Sequence, residues 1–181
     1  MVILASKSPR RKELLKTLID EFTIIPPQID EYLYPFEELS LAKAKQIAID
    51  HKDDLIISAD TIVMKSGKVF GKPQNKDEAY SMLKELSSSM HEVKTIYTIL
   101  SLKENVEITR IVTSIVYFNN LSDQLIEAYI KTSSPFDKAG GYGIQDKDFP
   151  LVNRIEGSYS NVVGLPIDEL KEDLIKIGLI A

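Results

Sequence analysis

The chain opens on a short apolar run, Val2-Ile3-Leu4, that reads as a buried strand. Leu14, Leu15, Leu18 and Ile19 then recur at helical spacing and predict a helix over 10–19. Residues 22–25 read as a second short strand, ended by Pro26-Pro27. A loop with acids and prolines follows, up to Phe36. Leu41, Ala44, Ala48 and Ile49 cluster on one side of a helix over 39–49. Residues 55–59 form a continuous apolar strand, as expected where both faces of a sheet are covered. Segments 61–64 and 68–70 flank Ser66-Gly67 and suggest a hairpin.

A helix over 77–86 comes next, followed by two long β-branched segments, 93–102 and 106–118. Glu104-Asn105 lies between them, so a long antiparallel hairpin is expected. Ser122 reads as the cap of a helix over 123–130. Residues 138–145 are glycine-rich and loop-like, 151–155 read as a strand, and 161–166 as a loop. A helix over 167–177 closes the chain, with Gly178 as its stop signal. Helices and strands are mixed, with long antiparallel elements in the middle. The pattern predicts an α/β or α+β protein with an elongated mixed sheet, not a regular alternation of strand and helix.

Composition narrows the function. The chain has 181 residues and a formal net charge of −5, so bulk affinity for nucleic acid is not expected and any basic site must be local. It has no cysteine, which removes disulfides and thiolate metal sites. Its two histidines, His51 and His91, do not form a ligand pair, so zinc is not expected. No apolar run approaches membrane-spanning length and no charged leader precedes the first strand. A soluble protein of the cytoplasm, without a membrane partner, is the expectation.

The candidate chemistry begins at Ala5-Ser6-Lys7-Ser8-Pro9-Arg10-Arg11. Ser8 reads as an N-cap and Pro9 as the first helical residue, which puts Arg10 and Arg11 in the first turn. Cations are disfavoured at that end of a helix, so two arginines make sense if an anion such as phosphate completes the site. They could equally be solvated surface residues. Asp60 follows the apolar run 55–59, where an acid can bind metal or activate water, or simply cap a turn. Lys72, in Gly71-Lys72-Pro73, suits a phosphate oxygen or a surface turn. Lys45 borders the apolar side of its helix and is either snorkelling or aimed into a cleft. Glu31 is either solvated or a hard oxygen ligand for magnesium. The amide of Gln145, at the end of the glycine-rich run, offers a donor and an acceptor that can read the edge of a base. Neither a serine–histidine–acid order nor a Walker pattern is present.

In their order along the chain, these segments resemble the Maf family of nucleotide pyrophosphatases. The resemblance runs from Ile3 to about Leu170 and is carried by 4–11, 58–63, 71–73, 137–145, Gly157-Ser158-Tyr159 and Val162-Val163-Gly164-Leu165-Pro166. It implies a single domain over 1–181 with an elongated mixed sheet, flanking helices and two lobes around a cleft, like inosine triphosphatases. It implies hydrolysis of a nucleoside triphosphate to the monophosphate and pyrophosphate, with Mg2+ or Mn2+ and in a homodimer. The Lys138-Ala139-Gly140…Gln145 run resembles the subgroup acting on dTTP and UTP, with modified pyrimidine nucleotides as further candidates. The family's catalytic acid falls on Asp60, and its phosphate-binding positions on Ser6, Arg10, Arg11 and Lys72. Its further essential acid, lysine and glutamine fall on Glu31, Lys45 and Gln145, with Asp60 and Glu31 holding the metal. Two positions depart from the family pattern: Ser134 stands where an acid is common, and Asp146 where a glycine usually follows the glutamine. A nucleotide-binding regulator of septum formation, without turnover, is the alternative function.

Overall fold

The protein is described from Met1 to Ala181 by a computed structural model. Strand β1 (Val2–Ala5) is buried throughout. Helix α1 (Pro9–Lys16) starts as its capping signal requires: Ser8 Oγ accepts the Arg11 N–H at 3.3 Å, and Pro9 is the first helical residue. The helix stops short of the expected 19. Leu18 and Ile19 still pack against the core, from a tight turn in which both amides bond to the Leu15 carbonyl. Strand β2 (Thr23–Ile24) pairs parallel with β1. A single 3-10 turn, Glu31–Leu33, stands within the expected loop, capped by Asp30 Oδ1 on the Tyr32 N–H at 3.0 Å. Helix α2 (Phe36–Ala48) begins three residues before the expected 39, because Glu37 and Glu38 suit the positive end of a helix.

Strand β3 (Leu55–Lys65) corrects the expected break after 59. It is one strand of 11 residues, with Asp60 in its interior and not at its end. It turns through Ser66 and Gly67, both at positive φ (50° and 81°), into β4 (Lys68–Phe70), which pairs with it antiparallel as the hairpin signal required. Helix α3 (Lys76–Leu86) is capped by Asn75, and β5 (Met90–Ser101) and β6 (Val106–Phe118) are neighbours in the sheet, joined by four residues. Helix α4 (Asp123–Ile130) has Ser122 as its cap. Strand β7 (Val152–Glu156) pairs antiparallel with β6. A five-residue helix, α5 (Tyr159–Val163), takes the first part of the expected 161–166 loop, and α6 (Ile167–Lys176) closes the chain before Gly178 at φ +77°.

The seven strands form one mixed sheet in the order β2-β1-β3-β5-β6-β7, with β4 on β3. β1, β2 and β3 are parallel, while β3/β4 and β6/β7 are antiparallel. The fold class is α/β with helices flanking a mixed sheet. No helix is long and apolar enough to cross a membrane.

Two compact units divide the chain, the first formed by Met1–Asp60, Thr95–Val112 and Gly164–Ala181, the second by Thr61–Lys94 and Thr113–Val163. Each has its own core. In the first, Leu4, Leu15, Ile57, Tyr97 and Leu170 lie in one cluster, and Ile3, Ala44, Ile47 and Ile56 in another. In the second, Leu83, Leu86, Val116, Phe118, Ile126 and Tyr142 are buried together.

The second core holds a histidine. His91 is 2% exposed, its ring stands edge-on to Phe118 at 5.1 Å, and its Nε2 meets the Tyr142 hydroxyl at 2.6 Å. Burial, helped by the charge of Lys65, pulls its pKa down from 6.5 to about 4. The unfolded chain therefore takes up a proton below 6.5 that the folded chain refuses until about 4. Stability is complete above pH 6.5 and falls as pH drops towards 4, by about 3 kcal/mol from this residue. Urea unfolding at pH 7 and pH 4.5 checks this. A His91→Asn variant is less stable at pH 7 but has a flatter decline, and equal slopes for the two proteins would remove histidine as the cause.

Candidate active site

The first unit gathers a compact set of charges. Lys43 lies on α2 in register with Leu39 and Ile47, on the face that α2 buries. Its ammonium therefore enters the interior and donates to Asp60 Oδ1 from β3. The same Nζ lies 2.6 Å from Glu31 Oε1, at the start of the 3-10 turn. Asp60 and Lys43 are both buried, whereas the Glu31 side chain is half exposed. Burying a charge inside a strand is costly unless it is paired, and the bond from Lys43 is what lets β3 run through Asp60 unbroken.

Asp60 is only partly satisfied. Its Oδ2 is buried and has no hydrogen-bond partner. Burial raises its pKa above the ordinary carboxylate value, and Lys43 and Arg11 pull it back. A desolvated carboxylate with a free oxygen is a stronger proton acceptor than a solvated one.

Arg11 completes the set from α1. Its Nε donates to the Gly164 carbonyl at 2.7 Å, and its charge is felt by both Asp60 and Glu31. Burial lowers its pKa, while Asp60 opposes that shift and Arg10 adds to it. Arg10 is half-buried beside it in the same first turn. Ser6 is buried, and its Oγ accepts the Ser8 N–H at 3.1 Å, so it shapes the turn between β1 and α1. Arg11 and Lys43 thus act on the two carboxylates while Arg10 stands beside Arg11, a balance that leaves positive charge for an anion at a helix start.

The structure relocates one of the expected residues. Lys45 is exposed on α2, and the lysine at Asp60 is Lys43. Two residues along a helix is a rotation of about 200°, so the two side chains leave on different faces. The signal for Lys43 was present in the chain: a cation spaced four residues from both Leu39 and Ile47, where the period calls for an apolar residue.

The second unit carries Lys72 and Gln145, both exposed. Lys72 follows β4, and its neighbour Gly71 accepts the Gly140 N–H at 3.1 Å, which ties this turn to the glycine-rich loop. Gly140 has φ +74°, and a Cβ there would lie 3.0 Å from Val63 Cγ2, so only glycine fits. Tyr142 packs and does not face solvent: it is 5% exposed, edge-on to Phe118 at 4.7 Å. Ser134 and Asp146, the two departures noted above, touch each other, the serine hydroxyl donating to Asp146 Oδ2.

A divalent cation fits the acids of the first unit. No group of three or more candidate ligands exists, so the protein alone offers no cage. Mg2+ is commonly held by one or two carboxylates together with phosphate oxygens and water. Asp60, with its unpartnered Oδ2, and Glu31 are two such carboxylates.

A mixed α/β sheet with a buried acid beside cations at a helix start defines a protein built to handle an anionic substrate. The chain belongs to the Maf family, whose model, described as Maf-like protein, matches residues 1–177. It is 46% identical to a protein of Carboxydothermus hydrogenoformans, over 98% of both chains, and that protein is named dTTP/UTP pyrophosphatase. Relatives from Thermosipho africanus (48%, 99% of this chain and 94% of the relative) and Thermosipho melanesiensis (50%, 93% of both) bear the same name. Among solved structures, the Staphylococcus aureus Ham1 protein superposes with a TM-score of 0.47 at 13% identity, over 67% of this chain and 72% of its own. That likeness is too weak to carry the fold assignment, which rests on the strand order.

Proposed function

We propose that this protein hydrolyses dTTP and UTP to the monophosphate and pyrophosphate. The observation that carries the reading is Asp60: a buried carboxylate of raised pKa, one oxygen held by Lys43 and the other unpartnered. The names of relatives 46–50% identical over nearly the whole chain supply the substrate class.

In this reading Asp60 takes a proton from water, and the hydroxide attacks the α-phosphorus. The bond from that phosphorus to the bridging oxygen breaks, and pyrophosphate leaves. Arg10, Arg11 and the turn shaped by Ser6 bind phosphate oxygens, and Lys72 adds a point charge to the tail. Lys43 keeps Asp60 oriented and ionised. Gln145 reads the pyrimidine edge. A magnesium or manganese ion held by Asp60 and Glu31 would neutralise phosphate charge. Cytoplasm is the compartment that suits such substrates, and a homodimer is the assembly we assign, to be checked by light scattering.

The test is a panel of nucleoside triphosphates at fixed Mg2+, with pyrophosphate release as the readout. dTTP and UTP are expected to exceed the purine triphosphates. Addition of a chelator is expected to abolish release. Binding without release from any nucleotide would instead support a regulator.

A further inference from the structure

We propose that Asp146 is a positioning residue that sets the discrimination between pyrimidine and purine nucleotides, by locking the turn that carries Gln145. The proposal rests on the nucleotide reading above. Asp146 Oδ2 accepts hydrogen bonds from the Tyr129 hydroxyl on α4 and from the Ser134 hydroxyl. The Tyr129 oxygen in turn accepts the Gly143 N–H at 2.9 Å, and the Asp146 N–H donates to the Gly143 carbonyl at 3.1 Å. One carboxylate oxygen therefore fixes both ends of the turn from Gly143 to Asp146, with Gln145 exposed inside it.

The anchor itself is rigid. Tyr129 is fully buried, and Lys138 Nζ donates to the Ser134 carbonyl at 2.8 Å and lies 3.0 Å from its hydroxyl. The turn packs closely on its anchors, since a Cβ on Gly143 would stand 2.8 Å from Lys138 Cε and 3.0 Å from Asp146 Oδ2. Asp146 also lines an open groove of about 460 Å³ with Ile144, Phe149, Ile155 and Tyr159, a size that suits a small ligand. Hydrogen bonds to an ionised carboxylate are stronger than neutral ones, so this single side chain holds the groove wall and the backbone that carries Gln145 in place. An amide discriminates between base edges only when its donor and acceptor are fixed, because a site built to pair polar groups rejects a ligand that leaves them unpaired.

Three variants test this: Asp146→Ser, Tyr129→Phe, and the exchange Ser134→Asp with Asp146→Ser. The readouts are kcat and KM for UTP and GTP, together with the affinities of both nucleotides measured by calorimetry in an Asp60→Asn background. Asp146→Ser is expected to lower the UTP-to-GTP preference about tenfold, with KM and not kcat taking most of the change. Tyr129→Phe moves the ratio in the same direction. The exchange restores it, because Ser134 Oγ already lies 3.5 Å from the Tyr129 hydroxyl. Thermal melting reports folding separately. An unchanged ratio in Asp146→Ser, a wild type without preference, or a stable exchange variant that stays unselective each overturns the proposal. A wild type that turns over nothing, while the affinity ratio still responds to Asp146, overturns only the hydrolase reading.

Discussion

Asp60→Asn yields a folded protein that binds nucleotide and turns it over about a thousandfold more slowly, the scale of a lost general base. The substitution keeps the shape and one hydrogen-bond acceptor for Lys43, and removes the charge and the basicity. The neutral amide leaves the buried Lys43 ammonium with Glu31 as its charged partner, so the variant folds but melts somewhat earlier than wild type. Affinity by calorimetry should stay close to wild type while pyrophosphate release collapses. Turnover near the wild-type rate would sink the assignment of Asp60 as the base. The wild-type rate also falls on acidification, because protonated Asp60 cannot accept a proton.

Lys43→Met is expected to cost about a hundredfold in turnover, whereas Lys45→Met changes it by less than about twofold. Lys43 is the cation at Asp60 and Glu31, and Lys45 is a solvated side chain on the same helix. Removing one partner of a buried ion pair costs about 3 kcal/mol, so Lys43→Met also melts earlier. The sign of its pH effect follows from the causes of the Asp60 shift. Lys43 pulls that pKa down, against the upward push of burial. Without it the pKa rises further, and the acid limb of the rate profile moves to higher pH. A profile measured at saturating substrate separates this from simple loss of binding. An unmoved acid limb, or a Lys45→Met variant as damaged as Lys43→Met, would assign the lysine role differently.

Much of the architecture is legible in the chain because it is locally determined. Ser8-Pro9 and Ser122 start their helices through hydroxyl caps that depend on a few neighbouring residues. Ser66-Gly67 makes its turn through positive φ at adjacent positions. The long segments 106–118 and 123–130 occupy their expected bounds. The errors arise where a distant partner overrides a local signal. A charged residue after 55–59 reads as a strand end, yet β3 continues because Lys43, 17 residues earlier, neutralises Asp60. In the same way, α1 ends before its apolar stripe does, since Leu18 and Ile19 reach the core from a turn.

By itself the sequence determined the mixed α/β class, most element positions and the helix start bearing Arg10 and Arg11, and it singled out Asp60 as a candidate acid. Periodicity, caps and turn residues encode those features within short windows. Only the tertiary structure decided which lysine meets Asp60, that one carboxylate oxygen is left without a partner, and that Asp146 ties Tyr129 and Ser134 to the glycine-rich turn. These are contacts between residues far apart in the chain, and burial, which sets both their strength and the pKa of Asp60, exists only once the chain has folded.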